Sequence, residues 1–160
     1  MNRLPAVSVV RRVRGGWLPG VRELQRWAAA ALGARASGRE ISILLVGPAA
    51  SRRLNAQYRG RDRPTNVLSF PVPHGPGAAQ ALLGDLVICP AIVRAEARAQ
   101  HKSARAHWIH LVVHGVLHLV GYDHERDDQA LRMERREIRV LRGLGIANPY
   151  RASASPGRPA

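Results

Sequence analysis

The chain has a single cysteine, Cys89, so an internal disulfide framework is excluded and a reducing, cytoplasmic setting is expected. No apolar run approaches the roughly 18 residues that a membrane-crossing helix needs. The start, MNRLPAVSVV, has no long apolar stretch leading to a cleavage site, so a secretory signal is not expected. Aromatic residues are only 4% of the chain, too few for an extended base-stacking platform. Any nucleic acid would therefore be held mainly through its phosphates. Acids are also scarce: before Asp62 the only ones are Glu23 and Glu40, against twelve arginines from Arg3 to Arg61. Lysine is limited to Lys102, so arginine carries nearly all of the net charge of +14. Such a field draws polyanions, chiefly nucleic acid, although a solvated basic surface that keeps a protein soluble has the same composition.

What is present is enough apolar residue, 46% of 160 positions, for one full core. Val7 to Val13 has a strand pattern. Val21, Leu24, Trp27, Ala28 and Ala31 recur at helical spacing, with Gly33 as the stop. The run Ile41 to Val46 is continuously apolar and predicts a strand buried on both faces. Pro48 to Tyr58 predicts a helix with proline in its first turn. A polar loop, Gly60 to Asn66, then leads to strands at Val67 to Phe70 and Leu82 to Ile88, joined by the proline- and glycine-rich PVPHGPGAAQ. Helical patterns follow over Pro90 to Gln100, Ala106 to Val120 and Gln129 to Leu144. The expectation is one α+β domain over residues 1–150, a small mixed β-sheet packed with helices, and a disordered tail over residues 151–160 (RASASPGRPA).

The most informative segment is His114-Gly-Val-Leu-His118-Leu-Val-Gly121-Tyr-Asp-His124. Residues four apart on a helix share a face, so the imidazoles of His114 and His118 can point at one ion about 2 Å away, the usual zinc–nitrogen distance. Gly121 falls where a left-handed backbone ends a helix, and the reversed chain can return His124 to the same ion. Three imidazoles with an open fourth position describe a catalytic rather than a structural zinc site. Of the seven histidines, His107, His110, His114 and His118 lie on roughly one stripe. A single histidine there would more often be a packed core residue, and for His107 and His110 packing is the preferred reading over support of the metal. His74 and His101 fall in loops. Asp123 either orients a ligand imidazole or is simply a turn residue, and Tyr122 either packs or faces the cleft.

The histidine spacing is that of H-E-x-x-H-x-x-G-x-x-H peptidases, but Gly115 stands where those enzymes carry the glutamate that takes a proton from water. A metallopeptidase is therefore the weaker of two hydrolytic readings. A second constellation, LNAQYRGRDRPTNVLSFP, puts Arg59, Arg61 and Arg63 within five positions of a loop, either to grip a phosphodiester by bidentate hydrogen bonds or merely as solvated charge. In the strand LGDLVI, Gly84 permits close approach of another backbone. Asp85, an acid among apolar neighbours, needs a partner nearby or in the site.

These segments, together with LGDLVICP, the M-x-x-x-E of Met133 and Glu137, and LGIANPY, resemble the YbeY endoribonucleases, bacterial ribosomal-RNA maturation factors, in family order from about Leu54 to Tyr150. The resemblance implies a zincin-like α+β fold and one zinc ion per chain held by His114, His118 and His124. It places the family's functionally important arginine on Arg59. It also implies action on single-stranded RNA in maturing the 3′ end of 16S ribosomal RNA, with the small ribosomal subunit as partner, and a part in ribosome quality control. The remaining alternative is a ribosome assembly factor whose zinc is mainly structural. No general base is assigned.

Overall fold

The computed structural model describes residues 3–73, 81–123 and 125–151. The histidines at 74 and 124, most of the PVPHGPGAAQ connection and the tail beyond residue 151 lie outside the described residues.

Four strands form one sheet: β1 (Ala6–Arg11), β2 (Glu40–Leu45), β3 (Val67–Pro71) and β4 (Leu82–Ile88), in the order β1-β2-β4-β3. The first three in that order run parallel, and β3 is antiparallel at the edge. The helices are α1 (Val21–Leu32), α2 (Pro48–Arg59), α3 (Pro90–Ala99), α4 (Ala104–Leu119) and α5 (Asp127–Gly143). This is the mixed α+β architecture expected from the sequence, and each predicted element is found within a few residues of its expected bounds.

Strand alternation assigns the two faces of the sheet. Ile41, Ile43 and Leu45 of β2, Val67 of β3 and Leu86 and Ile88 of β4 join the main core with α1, α4 and α5. Leu68, Val87 and Val46 form a smaller core on the opposite face with Leu44, Phe70 and, from α2, Ala50 and Leu54. The sequence predicts β2 buried on both faces; instead Ser42 and Leu44 are half-buried, because α2 is the one helix that packs on that side. Asp85 shares the lightly covered face and is exposed, so its carboxylate is open to solvent and burial does not oblige it to find a partner within the fold.

At Gly84 the expected close approach is real. A bulge in the β2–β4 register falls next to it, its φ is +150°, and a Cβ there would overlap the carbonyl oxygen of Phe70 and lie 2.8 Å from Leu119 Cδ2. Helix α4 is buried on nearly all sides, with twelve of its sixteen residues out of solvent, so it runs through the middle of the molecule rather than along its surface. Its start is capped by Ser103, whose Oγ accepts from the Ala106 N–H. Its end is the predicted glycine stop: Gly121 has φ +99°, Gly121 N–H donates to the His118 carbonyl, and Tyr122 N–H donates to the Leu117 carbonyl. Tyr122 packs on the main core, which decides its role.

One ion-pair network ties the start of β3 to two helices. Glu96 of α3 accepts from Asn66 Nδ2 at 3.0 Å and lies 3.0 Å from His107 Nε2 of α4. Burial pushes the Glu96 carboxyl up, but the hydrogen bonds of His107 and Asn66 and the charges of His107 and Lys102 outweigh it and hold it below the usual value of 4.5. A carboxyl depressed in the folded state stabilises above its unfolded value, and this contribution fades as pH falls below about 4.5. The expected result for Glu96→Gln is a lower Tm at pH 7 and a gap to wild type that narrows between about pH 4.5 and 3. Thermal unfolding followed by circular dichroism across that range checks it; a gap independent of pH assigns the network no electrostatic role.

Candidate metal centre

Along α4 the four histidines face the same way, with ring centroids 6.1 Å apart from His107 to His110, 6.3 Å from His110 to His114 and 4.7 Å from His114 to His118. A polar stripe in so buried a helix needs partners. Glu96 serves His107. His110 and His114 share Glu137, which α5 presents at 0% exposure. His110 Nε2 lies 2.6 Å from Glu137 Oε1, and His114 Nδ1 lies 3.3 Å from Oε1 and 3.4 Å from Oε2. Tyr150, from the segment after α5, donates its hydroxyl to Glu137 Oε2 at 2.7 Å and sets its ring 5.7 Å from that of His110. His110 thus lies against the same carboxylate as His114, while His107 belongs to the separate Glu96 network.

Burial pushes Glu137 up, yet the hydrogen bonds and charges of His110 and His114 outweigh that effect and hold its carboxyl down to about 2. His110 is lowered as well, because burial outweighs the opposing pull of Glu137. An ionised Glu137 only accepts hydrogen bonds, so the proton of His114 sits on Nδ1 and its Nε2 keeps a lone pair. That Nε2 faces His118 Nε2 at 3.1 Å. Two nitrogens at 2.0–2.1 Å from one tetrahedral zinc would lie about 3.3 Å apart, so the pair fits a shared ion. The donor chemistry agrees, because a buried anion behind one imidazole raises its basicity and offsets a cation's charge. Exposure rises along the stripe. His114 is 4% exposed and His118 is half-buried, so the pair opens toward solvent at the C-terminal end of α4.

A second grouping shares His114. His110, His114 and Glu137 each offer a ligand atom within 4.8 Å of one another, all buried, and this group could hold a metal ion.

The arginine arrives from the other face of the sheet. Arg59 is exposed at the C-terminal end of α2, where Gly60, with φ +68°, stops the helix. Its Nη2 donates to the Ser69 carbonyl at 3.2 Å. Cys89 N–H donates to the Asn66 carbonyl and Val72 N–H to the Leu83 carbonyl, so even-numbered positions of β3 bond to β4 and the Ser69 carbonyl faces the open edge. Ser69 Oγ donates in turn to the carbonyl of Gly115, beside His114. One serine thus links the arginine to the histidine helix. A Cβ on Gly115 would meet Leu86 Cδ2 at 2.9 Å and Ser69 Oγ at 3.4 Å, so this position faces the sheet and has no room for a glutamate. Arg61 and Arg63 are exposed in the following loop. Arg52 and Asp62 form a two-pronged pair at 2.7 and 3.0 Å on the outer side of α2.

Glu137 had no role assigned from sequence beyond its place in the M-x-x-x-E match. The signal was available: in α5, Glu137 lies on the same face as Met133, Val140 and Leu141, all buried, so a carboxylate had to enter the core there. Nothing local marked Ser69 or Tyr150.

Comparison with known proteins identifies the family of the chain. Residues 20–145 match the family model described as Endoribonuclease YbeY. A protein of Alkalilimnicola ehrlichii named Endoribonuclease YbeY is 49% identical, covering 94% of this chain and 95% of its own. Among solved structures, the solution structure of TM1509 from Thermotoga maritima matches with a TM-score of 0.58 at 27% identity, over 95% of this chain and 99% of that one. With the family model spanning most of the chain and 49% identity to a relative aligned over 94% of it, the protein belongs to the YbeY endoribonuclease family.

Proposed function

We propose that this protein is a zinc-dependent, single-strand-specific endoribonuclease of the cytoplasm, acting on the 3′ end of 16S ribosomal RNA in the small subunit and in ribosome quality control. Its catalytic unit spans residues 1–150, its metal ligands are His114, His118 and His124, and Arg59 is its catalytic arginine. The observation that carries the reading is the 3.1 Å convergence of two imidazole nitrogens, one ring backed by a buried carboxylate, on the helix to which Ser69 tethers Arg59.

When bound, zinc supplies Lewis acidity toward a phosphoryl oxygen and lowers the pKa of nearby water. The chain's own groups do the rest. His114 keeps its proton on Nδ1 against Glu137 and presents Nε2. Arg59 uses one N–H on the Ser69 carbonyl, which leaves four for the non-bridging oxygens of a phosphodiester as their charge grows. Exposed Arg61 and Arg63 lie in the same loop to hold flanking phosphates. The peptidase alternative loses its base at Gly115, where the sheet fills the space.

The test is cleavage of a single-stranded oligoribonucleotide, its duplex form and a peptide mixture by the zinc-loaded and the chelated protein. Expected is cutting of the single strand alone, abolished by the chelator and restored by zinc; peptide products without RNA products overturn the proposal. Arg59→Ala is expected to keep its zinc and lose about 10²- to 10³-fold in turnover. Unchanged turnover removes Arg59 from the role.

A further inference from the structure

We propose that Glu137, held by Tyr150, is the positioning residue of the metal centre: it fixes the His114 ring so that Nε2 faces the ion. This rests on the metal reading above and adds two residues to it. Glu137 is fully buried; its Oε2 accepts from the Tyr150 hydroxyl and faces His114 Nδ1, while its Oε1 lies 2.6 Å from His110 Nε2. The Tyr150 hydroxyl donates to Oε2 at 2.7 Å and so fixes the carboxylate oxygen that receives His114 Nδ1. A ring fixed at Nδ1 has one remaining direction for its lone pair, and that direction meets His118 Nε2. Tyr150 lies beyond the end of α5, so the short ordered segment after that helix closes the arrangement. The Tyr150 hydroxyl and His114 Nδ1 both meet Oε2, which sets the carboxylate behind the ring, on the side away from the Nε2 that faces His118.

Zinc affinity, measured by competition with a chromophoric chelator, is the readout, together with the Tm of the metal-free protein. Glu137→Gln keeps the shape and removes the charge; a 10- to 100-fold weaker zinc affinity is expected, on the order seen when a ligand's outer partner is lost. Tyr150→Phe removes one donor to Glu137, and roughly a 3- to 10-fold loss is expected with the Tm of the metal-free protein near wild type. Wild-type zinc affinity in both variants overturns the proposal. Should Glu137→Gln fail to fold, Tyr150→Phe decides alone, and unchanged affinity in it overturns the proposal. His118→Ala separates the two levels. Loss of zinc in His118→Ala with no effect of Glu137→Gln defeats the positioning role and leaves the metal centre standing. Zinc kept in His118→Ala but lost in His110→Ala puts the ion between His110, His114 and Glu137, and overturns both.

Discussion

His114→Ala is expected to abolish zinc binding at micromolar metal and to lower RNA cleavage by on the order of 10³ or more. Both nitrogens of the ring are committed, Nδ1 to Glu137 and Nε2 toward His118. Its removal deletes a proposed ligand and strands a buried carboxylate that loses one of its partners. Metal Lewis acidity contributes several kcal/mol of transition-state stabilisation, and about 4 kcal/mol is a factor of 10³ in rate. The accompanying risk is a fold weakened at its central helix. His118→Ala answers that: His118 is half-buried and its substitution leaves the Glu137 contacts with His110 and Tyr150 in place, so both losses should recur at a near-native Tm. Metal content of the purified variants and cleavage of a defined single strand check the result; full cleavage by a metal-free His114→Ala protein would falsify the mechanism.

Gly84→Ala is expected to be the most damaging single substitution in the sheet. The new Cβ would overlap a backbone carbonyl, that of Phe70, and lie 3.0 Å from Pro71 Cα, also backbone. Neither can retreat, because Phe70 and Pro71 are fixed in register opposite Asp85 and Gly84. On the other side stands Leu119, 1% exposed. A non-glycine residue at φ +150° adds backbone strain of about 1–3 kcal/mol, and overpacking adds about 1–3 more. A loss of about 2–6 kcal/mol is a large share of the roughly 5–15 kcal/mol typical of a domain and corresponds to a fall in Tm of about 4–24 °C. Thermal denaturation measures it, and a Tm within about 2 °C of wild type would show that β3 can move away from β4. Since β3 carries Ser69, a shift of this strand should also weaken RNA cleavage before zinc affinity changes.

Local chemistry made most elements legible. Regular spacing of apolar residues marks α1, and Gly33 ends it; Pro48 opens α2, and Gly121 reverses the chain after α4. These rules act within a few residues, so a sequence read in order contains them. The pairing of His114 with His118 is of the same kind, because one helical turn fixes it. Strand burial was less legible: β2 is as apolar as a strand covered on both sides, and only the position of α2 determines that Ser42 and Leu44 stay half-buried. Asp85 is likewise harmless only because its face is left open.

By itself, then, the sequence determined a basic α+β domain whose central helix presents adjacent imidazoles, with a glycine in place of the peptidase base. The tertiary structure alone decided what stands around them: Glu137 from 23 residues away behind His114, Tyr150 behind Glu137, and Ser69 joining Arg59 to Gly115 across the sheet. The physical reason is that backbone periodicity orders neighbours in sequence. A buried carboxylate, by contrast, finds its donors wherever packing of separate elements places them, and no short-range rule encodes that distance.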